Sequence, residues 1–334
     1  MKRAFSLIST LVVVFFLSCG DDEPKRPECI DPIGSELLTY TYNNPGTPNI
    51  SNLPINESQN ITYGTPRAVV SGGEVEITIP GIRVRTQNNN FEITAIQVDE
   101  QVQGDNCFVN QAEFNQTRTS FQTNISSVLV LDMSTSILGI VDDLKDYAKE
   151  YASTIVNSSS QSQVAVVFFS SRSAIQRTEF YTSTNIGQLH TLIDNFENFQ
   201  ERTALYQATL EGIDLLESNV FDGEKSLVVF TDGGDNDSNN PSTLVNEINA
   251  SGVNVFAIGL RGGDFRENNL ASIVSNASNL VIAETNEDLQ QVFRTVGRGV
   301  ISVYTVVYNR SDQLLSSDES IESRFSFETM AIDP

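Results

Sequence analysis

Val128-Leu129-Val130-Leu131-Asp132-Met133-Ser134-Thr135-Ser136 is the stretch on which the reading of the fold turns. A run that is apolar on both faces suits a strand covered on both sides, as in a parallel sheet flanked by helices. The run stops at Asp132 and a D-x-S-x-S motif follows. Ile137, Ile140, Val141, Leu144, Tyr147, Ala148 and Tyr151 then recur at helical spacing. The motif therefore falls where a strand ends and a helix begins. In open α/β sheets, ligands bind at that edge, where the strand order reverses. A carboxylate and two hydroxyls in one short loop are hard oxygen donors of the kind that hold Mg²⁺ or Mn²⁺, with Ca²⁺ also open.

The same pattern continues outward. Val164–Phe169, Leu227–Phe230, Val253–Ile258 and Leu280–Ala283 are further apolar runs. Leu205, Ala208, Thr209, Gly212, Ile213 and Leu216 lie at helical spacing, as do Leu289, Val292, Phe293 and Val296. Thr285, three residues before Asp288, offers a cap for that last helix. Strands alternating with helices predict a doubly wound α/β domain over residues 124–300 with a mainly parallel sheet.

Two later segments complete the motif. Arg202-Thr203-Ala204-Leu205-Tyr206 opens a helix and offers a hydroxyl, and Phe230-Thr231-Asp232-Gly233-Gly234 is a second strand end with a carboxylate. In this order and at these boundaries, the three segments resemble the von Willebrand factor A (vWA) domain, a Rossmann-like fold, with its metal-ion-dependent adhesion site. The resemblance implies that Ser134, Ser136 and Thr203 ligate the metal directly. It implies that Asp132 and Asp232 act through water or alternate between direct and indirect contact. One coordination position is then left for a carboxylate, supplied by a partner protein or surface polymer. It also implies that the last helix, about Glu287–Gly297, shifts to couple the metal to neighbouring domains. Glycine commonly precedes the threonine, whereas here it is Arg202. Its guanidinium either pairs with a partner's acid at the rim or hinders access. Asp235, in the acidic run Asp235–Asn240, is a second rim residue. The competing reading is a domain that keeps the fold without the metal, with Asp132, Ser134 and Ser136 capping the first helix.

The flanks read differently. In residues 40–123, Val75, Ile77 and Ile79 alternate with Glu76 and Thr78, and Phe91, Ile93 and Ala95 alternate with Glu92 and Thr94. Alternation of period two marks strands with one buried face. In residues 301–334, Tyr304, Val306 and Tyr308 alternate, as do Phe325 and Phe327. The two flanks are either separate pieces or one small antiparallel β domain into which the α/β domain is inserted. Insertion is the preferred arrangement, because chain ends of compact domains often lie close together.

Residues 1–18 read as an export leader: Lys2 and Arg3, then an apolar run, then Ser18-Cys19. Phe16-Leu17-Ser18-Cys19 resembles a bacterial lipobox, which makes Cys19 the lipidated residue and 19–39 an acidic tether. The expected location is the outer membrane, facing the cell surface, with a periplasmic orientation as the alternative. The lipid is the only expected membrane contact. Cys29 and Cys107 would meet in an oxidising compartment and are read as a disulfide. Lys and Arg number 20 against 43 Asp and Glu, a net charge of −23. So acidic a chain is a poor binder of nucleic acid phosphates. A single histidine, His190, excludes sites built on several imidazoles. No nucleophile with its base is found, so no enzyme activity is expected. The alternative to adhesion is a scaffold subunit of an envelope assembly, with the metal incidental.

Overall fold

The computed structural model describes residues 29–43, 49–50, 60–63, 67–71, 74–85, 90–102, 107–110, 117–311 and 320–332. The leader 1–18, Cys19 and the tether up to residue 28 lie outside the described residues.

Strands β1 (Glu36–Asn43), β2 (Asn49–Ile50), β3 (Ile61–Thr62), β4 (Arg67–Ser71), β5 (Glu74–Arg85), β6 (Asn90–Val102), β7 (Val109–Asn110) and β8 (Thr117–Gln122) come first. The α/β domain follows with β9 (Ile125–Asp132), α1 (Val141–Ser158), β10 (Gln163–Phe169), β11 (Gln176–Arg177), β12 (Tyr181–Thr182), α2 (Ile186–Asp194) and α3 (Leu205–Glu217). It is completed by β13 (Glu224–Thr231), α4 (Pro241–Ala250), β14 (Asn254–Leu260), α5 (Glu267–Ala271), β15 (Leu280–Ala283) and α6 (Leu289–Ile301). Strands β16 (Tyr304–Ser311) and β17 (Ser320–Ala331) follow it.

The α/β sheet runs β11-β10-β9-β13-β14-β15, with β12 also on β10. Strands β10, β9, β13, β14 and β15 are parallel to one another. The chain leaves β9 towards β10 and returns on the other side with β13, so the strand order reverses between β9 and β13. Alternate residues face opposite layers. Leu129, Leu131 and Phe230 share one core with residues of α1 and α6, while Val128, Val130, Leu227 and Val229 share the other with residues of α3 and α4. Helix α3 lies close on the sheet at Gly212, where a Cβ would come within 2.6 Å of Leu227 Cδ1.

The antiparallel sheet runs β2-β1-β17-β6-β5-β16-β8, with β3 and β4 on β5 and β7 on β6. Strands from both flanks thus share one sheet, and the α/β domain is inserted between β8 and β16. Strand β5 serves two groups of partners. Its first half pairs with β4 and β16, and its last residues pair with β3 and β6. Between them lie Pro80, which has no N–H to donate, and Gly81 at φ +66°, a conformation glycine adopts without strain. The pairing with β16 slips there, with Ile82 opposite Tyr304 and Ile79 opposite Val306. The bend wraps the sheet around Leu38, Ile79, Val98, Val306, Phe325 and Phe327.

Strand β1 starts at Glu36, four residues before the β region read from the sequence. The segment ahead of it lies along β6 and β17. Ile30 N–H donates to Phe108 O at 2.9 Å, Arg324 Nη2 donates to Ile30 O at 2.6 Å, and Gln97 Nε2 donates to Asp31 O at 2.9 Å. A disulfide between Cys29 and Cys107 fixes it there. The first helical pattern divides into a 3₁₀ turn, Thr135–Gly139, and α1. The last helix extends to Ile301 rather than to Gly297. The Asp288 carboxylate accepts from Thr285 N–H and Oγ1, which fixes the turn leading into α6. Among the described residues, no helix is long and apolar enough to cross a membrane.

Candidate metal centre

Asp132 ends β9 and is completely buried. Its Oδ1 accepts from Ser134 N–H at 2.8 Å, and its Oδ2 accepts from Thr231 Oγ1 at 2.6 Å. Ser134 Oγ lies 2.9 Å from Ser136 Oγ, and Ser136 Oγ donates to Asp232 Oδ1 at 2.7 Å. The single proton of Ser136 is committed to Asp232, so the hydroxyl proton of Ser134 points to Ser136. The chain of donors therefore runs Ser134 to Ser136 to Asp232. Oxygen lone pairs on both serines remain free to accept a cation.

Neighbouring strand ends fix the loops. Met133 N–H donates to Phe169 O, and Thr135 N–H donates to Gln200 O at 2.9 Å. Thr203 is held at both ends of its peptide unit. Its N–H donates to Asn236 Oδ1 at 2.9 Å, and its carbonyl accepts from Asn236 N–H at 2.9 Å. Gly233 N–H donates to Thr231 Oγ1 at 3.0 Å, and a Cβ on Gly233 would sit 3.7 Å from Thr203 Oγ1. That is an ordinary contact distance, and it places the Asp232 loop beside the threonine hydroxyl. The structure thus brings Asp132, Ser134, Ser136 and Asp232 into one hydrogen-bonded group and places Thr203 beside the loop that carries Asp232.

The serines do not cap the first helix. Ser134 stands before the 3₁₀ turn without a side-chain capping bond, and α1 likewise starts uncapped. Both hydroxyls turn into the site instead, as cation binding requires and capping would not.

The charge balance tests the fit to a metal. Every partner of Asp132 is neutral, and burial, opposed by its hydrogen bonds and added to by Asp232, pushes its carboxyl up to about 7. Burial raises Asp232 as well, despite the bond from Ser136, and Asp264 adds to the effect. Two desolvated carboxylates without a cationic partner are costly. A small divalent cation would supply the missing countercharge. The donor set contains only oxygen, which fits a hard divalent cation. Among the described residues, no group of three or more His, Cys, Asp or Glu side chains gathers as a metal site here or elsewhere, so this centre rests on two carboxylates and on hydroxyls.

The rim differs from a simple acidic edge. Arg202 is 66% exposed and reaches back to Asp237 Oδ1 at 3.2 Å, and Asp237 Oδ2 accepts from Arg172 N–H. Asp235 turns into the loop, where it accepts from Tyr206 N–H and Ser238 Oγ, and burial raises its carboxyl. It thus supports the start of α3 more than it lines a rim. Loop contacts use both carboxylates of the Asp235–Asn240 run. His190 lies on α2 with Nε2 at 3.3 Å from Ser153 Oγ of α1. Sequence reasoning missed Thr231, Asn236 and Gln200. The signal for Thr231 was its place immediately before Asp232. Asn236 and Gln200 gave none, because their roles depend on loops that meet only in the fold.

The family model of the von Willebrand factor type A domain matches residues 128–295. The chain belongs to that family. Among solved structures it is similar to proximal thread matrix protein 1 from the mussel byssus with a zinc-occupied MIDAS motif. That match has 20% identity and a TM-score of 0.45, covering 57% of this chain and 49% of that one. It is also similar to the pilus adhesin SpaC from Lactobacillus rhamnosus GG in its open conformation, with 11% identity, a TM-score of 0.47, and coverage of 80% and 42%. A third is the conserved hypothetical protein BatB from Bacteroides thetaiotaomicron, with 12% identity, a TM-score of 0.39, and coverage of 53% and 98%. The chain spans about half the length of the byssus protein. Comparison with curated proteins gives no match.

Proposed function

We propose that this chain is a metal-dependent binding module of a bacterial surface lipoprotein, and that its partner is a protein or surface polymer presenting a carboxylate. One observation carries the reading. Two desolvated carboxylates and converging neutral hydroxyls stand at the reversal point of the sheet, and among the described residues no cationic side chain balances them. Ser134, Ser136 and Thr203 would hold Mg²⁺ or Mn²⁺, backed by Asp132 and Asp232. Neutral ligands leave the ion electron-poor, and the bound ion supplies an electrophilic contact for an anionic oxygen. The chain's own part is to position the donors. Thr231 orients Asp132, Asn236 clamps Thr203, and Ser136 links Ser134 to Asp232. The site works by binding, without a catalytic step. The leader, Cys19 and the acidic residues after it support anchoring by lipid at the outer membrane with the module facing outward.

Calorimetric titration of the mature chain with Mg²⁺ and Mn²⁺, beside Asp132→Ala, tests the metal. Saturable binding lost in the variant supports the reading, and no binding overturns it. Capture of envelope partners in Mg²⁺, with release by chelator, then tests the carboxylate.

A further inference from the structure

A second cleft lies between the two domains, at the end of the α/β sheet opposite the metal centre. Its volume is about 590 Å³, and Tyr63, Arg83, Arg85, Glu224, Asn249 and Ser275 are among the residues that line it. Arg83 and Arg85 lie two apart on β5, so both side chains leave the same face of the strand. Arg83 is only 7% exposed. Its Nη1 donates to Gly299 O at 3.0 Å and Val300 O at 3.3 Å in the last turn of α6, and its Nη2 has no partner. Arg85 Nη1 reaches Asn279 Oδ1 only at 3.4 Å, and its Nε is buried without a partner.

Among the described residues, no carboxylate comes within ion-pair distance of either guanidinium. Glu224 acts on Arg83 through space, and burial holds both guanidiniums below the ordinary arginine range, Arg83 at about 10. The side chains of Ser275 and Asn249 are already occupied. Ser275 Oγ accepts from Val255 N–H and donates to Val253 O, and Asn249 Nδ2 donates to Ser272 O. What the cleft lacks is an acceptor that reaches Arg83 Nη2 or Arg85 Nε, since the one carboxylate lining it, Glu224, bonds to neither. A buried guanidinium with an unmet donor is costly unless an anion or ordered water meets it. Planar or tetrahedral oxyanions match the fork of an arginine and form its strong, charge-assisted bonds.

We infer that this cleft binds a small oxyanion, a carboxylate or phosphate group, between Arg83 and Arg85. The anion would touch β5 of one domain and the wall formed by β13, α4 and β14 of the other, so its binding would hold the domains together. Glu224 opposes it and sets a preference for low ligand charge. The site is independent of the metal centre.

The test is calorimetry on the metal-stripped mature protein, which silences carboxylate binding at the metal edge. The probes are inorganic phosphate, malonate and acetate, each against sodium chloride at matched ionic strength. Expected is saturable binding of one anion per chain, weakened at least tenfold by Arg85→Gln and tightened by Glu224→Gln. Tighter binding of phosphate assigns the phosphate class, and tighter binding of malonate or acetate assigns the carboxylate class. Absence of saturable binding for all three probes overturns the inference, as does equal affinity in wild type and Arg85→Gln. Arg83→Met is the stricter variant, and Arg85→Gln decides the matter where Arg83→Met does not fold.

Discussion

Breaking the Cys29–Cys107 disulfide should selectively weaken the β domain. The bond closes a loop with a sequence separation of 78 residues. Loop-closure entropy for that length amounts to about 4.5 kcal/mol at 25 °C, and native disulfides deliver about 2–4 kcal/mol once residual structure in the unfolded chain is allowed for. The bond also holds the segment whose carbonyls accept from Arg324 and Gln97. Arg324 is itself the ion-pair partner of the fully buried Asp99, at 2.8 Å. Release of the segment therefore loosens one wall around a buried charge pair, which adds to the entropic loss. With a urea slope of about 2 kcal/mol per molar, the β-domain midpoint should fall by roughly 1–2 M. The assay is urea unfolding followed by far-ultraviolet circular dichroism, comparing the oxidised protein, the reduced protein and a Cys29→Ala/Cys107→Ala variant. The closed loop excludes the α/β domain, whose transition should stay in place. Coincident β-domain midpoints for oxidised and reduced protein would refute the reasoning, because the bond would then tether the segment without constraining the unfolded chain.

Further outcomes follow from the metal centre and the core. In metal-free protein, the Asp132 carboxyl binds its proton more tightly folded than unfolded, so stability should fall as pH rises from about 4 through about 7. Thermal unfolding in chelator across that range measures it, and added Mg²⁺ should remove most of the loss at the upper end. Thr231→Val deletes the 2.6 Å bond that orients Asp132 and should weaken Mg²⁺ binding by about 10–100-fold while the fold persists, as read by calorimetry and circular dichroism. Ser136→Ala removes both a metal donor and the link to Asp232, and should abolish saturable Mg²⁺ binding in the same titration. Gly259→Ala would place a Cβ 2.6 Å from the Phe265 ring and should destabilise the α/β domain by about 1–3 kcal/mol, measured by its thermal midpoint.

Much of the candidate site was legible because Asp132, Ser134, Ser136 and Asp232, which the fold brings together, lie in short motifs at strand ends. Asp132, Ser134 and Ser136 occupy one loop, and the apolar run before them marks the strand that carries it. The supporting residues were not legible, because their partners are distant in sequence. Thr231 meets Asp132 across 99 positions, and Asn236 meets Thr203 across 33. No local pattern encodes such a pairing. In the β domain the alternation of Val75, Ile77 and Ile79 marked β5, but its division between two sets of partners rests on Pro80-Gly81 and the slip against β16. Periodicity alone does not reveal where a strand changes neighbours. Strand β1 starts inside the stretch read as tether, because the prolines and acids that suggested a tether stop before Glu36-Leu37-Leu38.

The order of strands in the antiparallel sheet also sets a schedule for folding. The last strand of the chain, β17, lies between β1 and β6, two strands made long before it. Until residues 320–331 emerge, β1 has only the two-residue β2 beside it and β6 has an open edge. The α/β domain has no such dependence, since all its strands are consecutive in the chain. During synthesis the inserted domain can therefore be complete while its host still waits for its central strand. Loss of the segment 320–331 would leave a folded α/β domain mounted on an unfinished base.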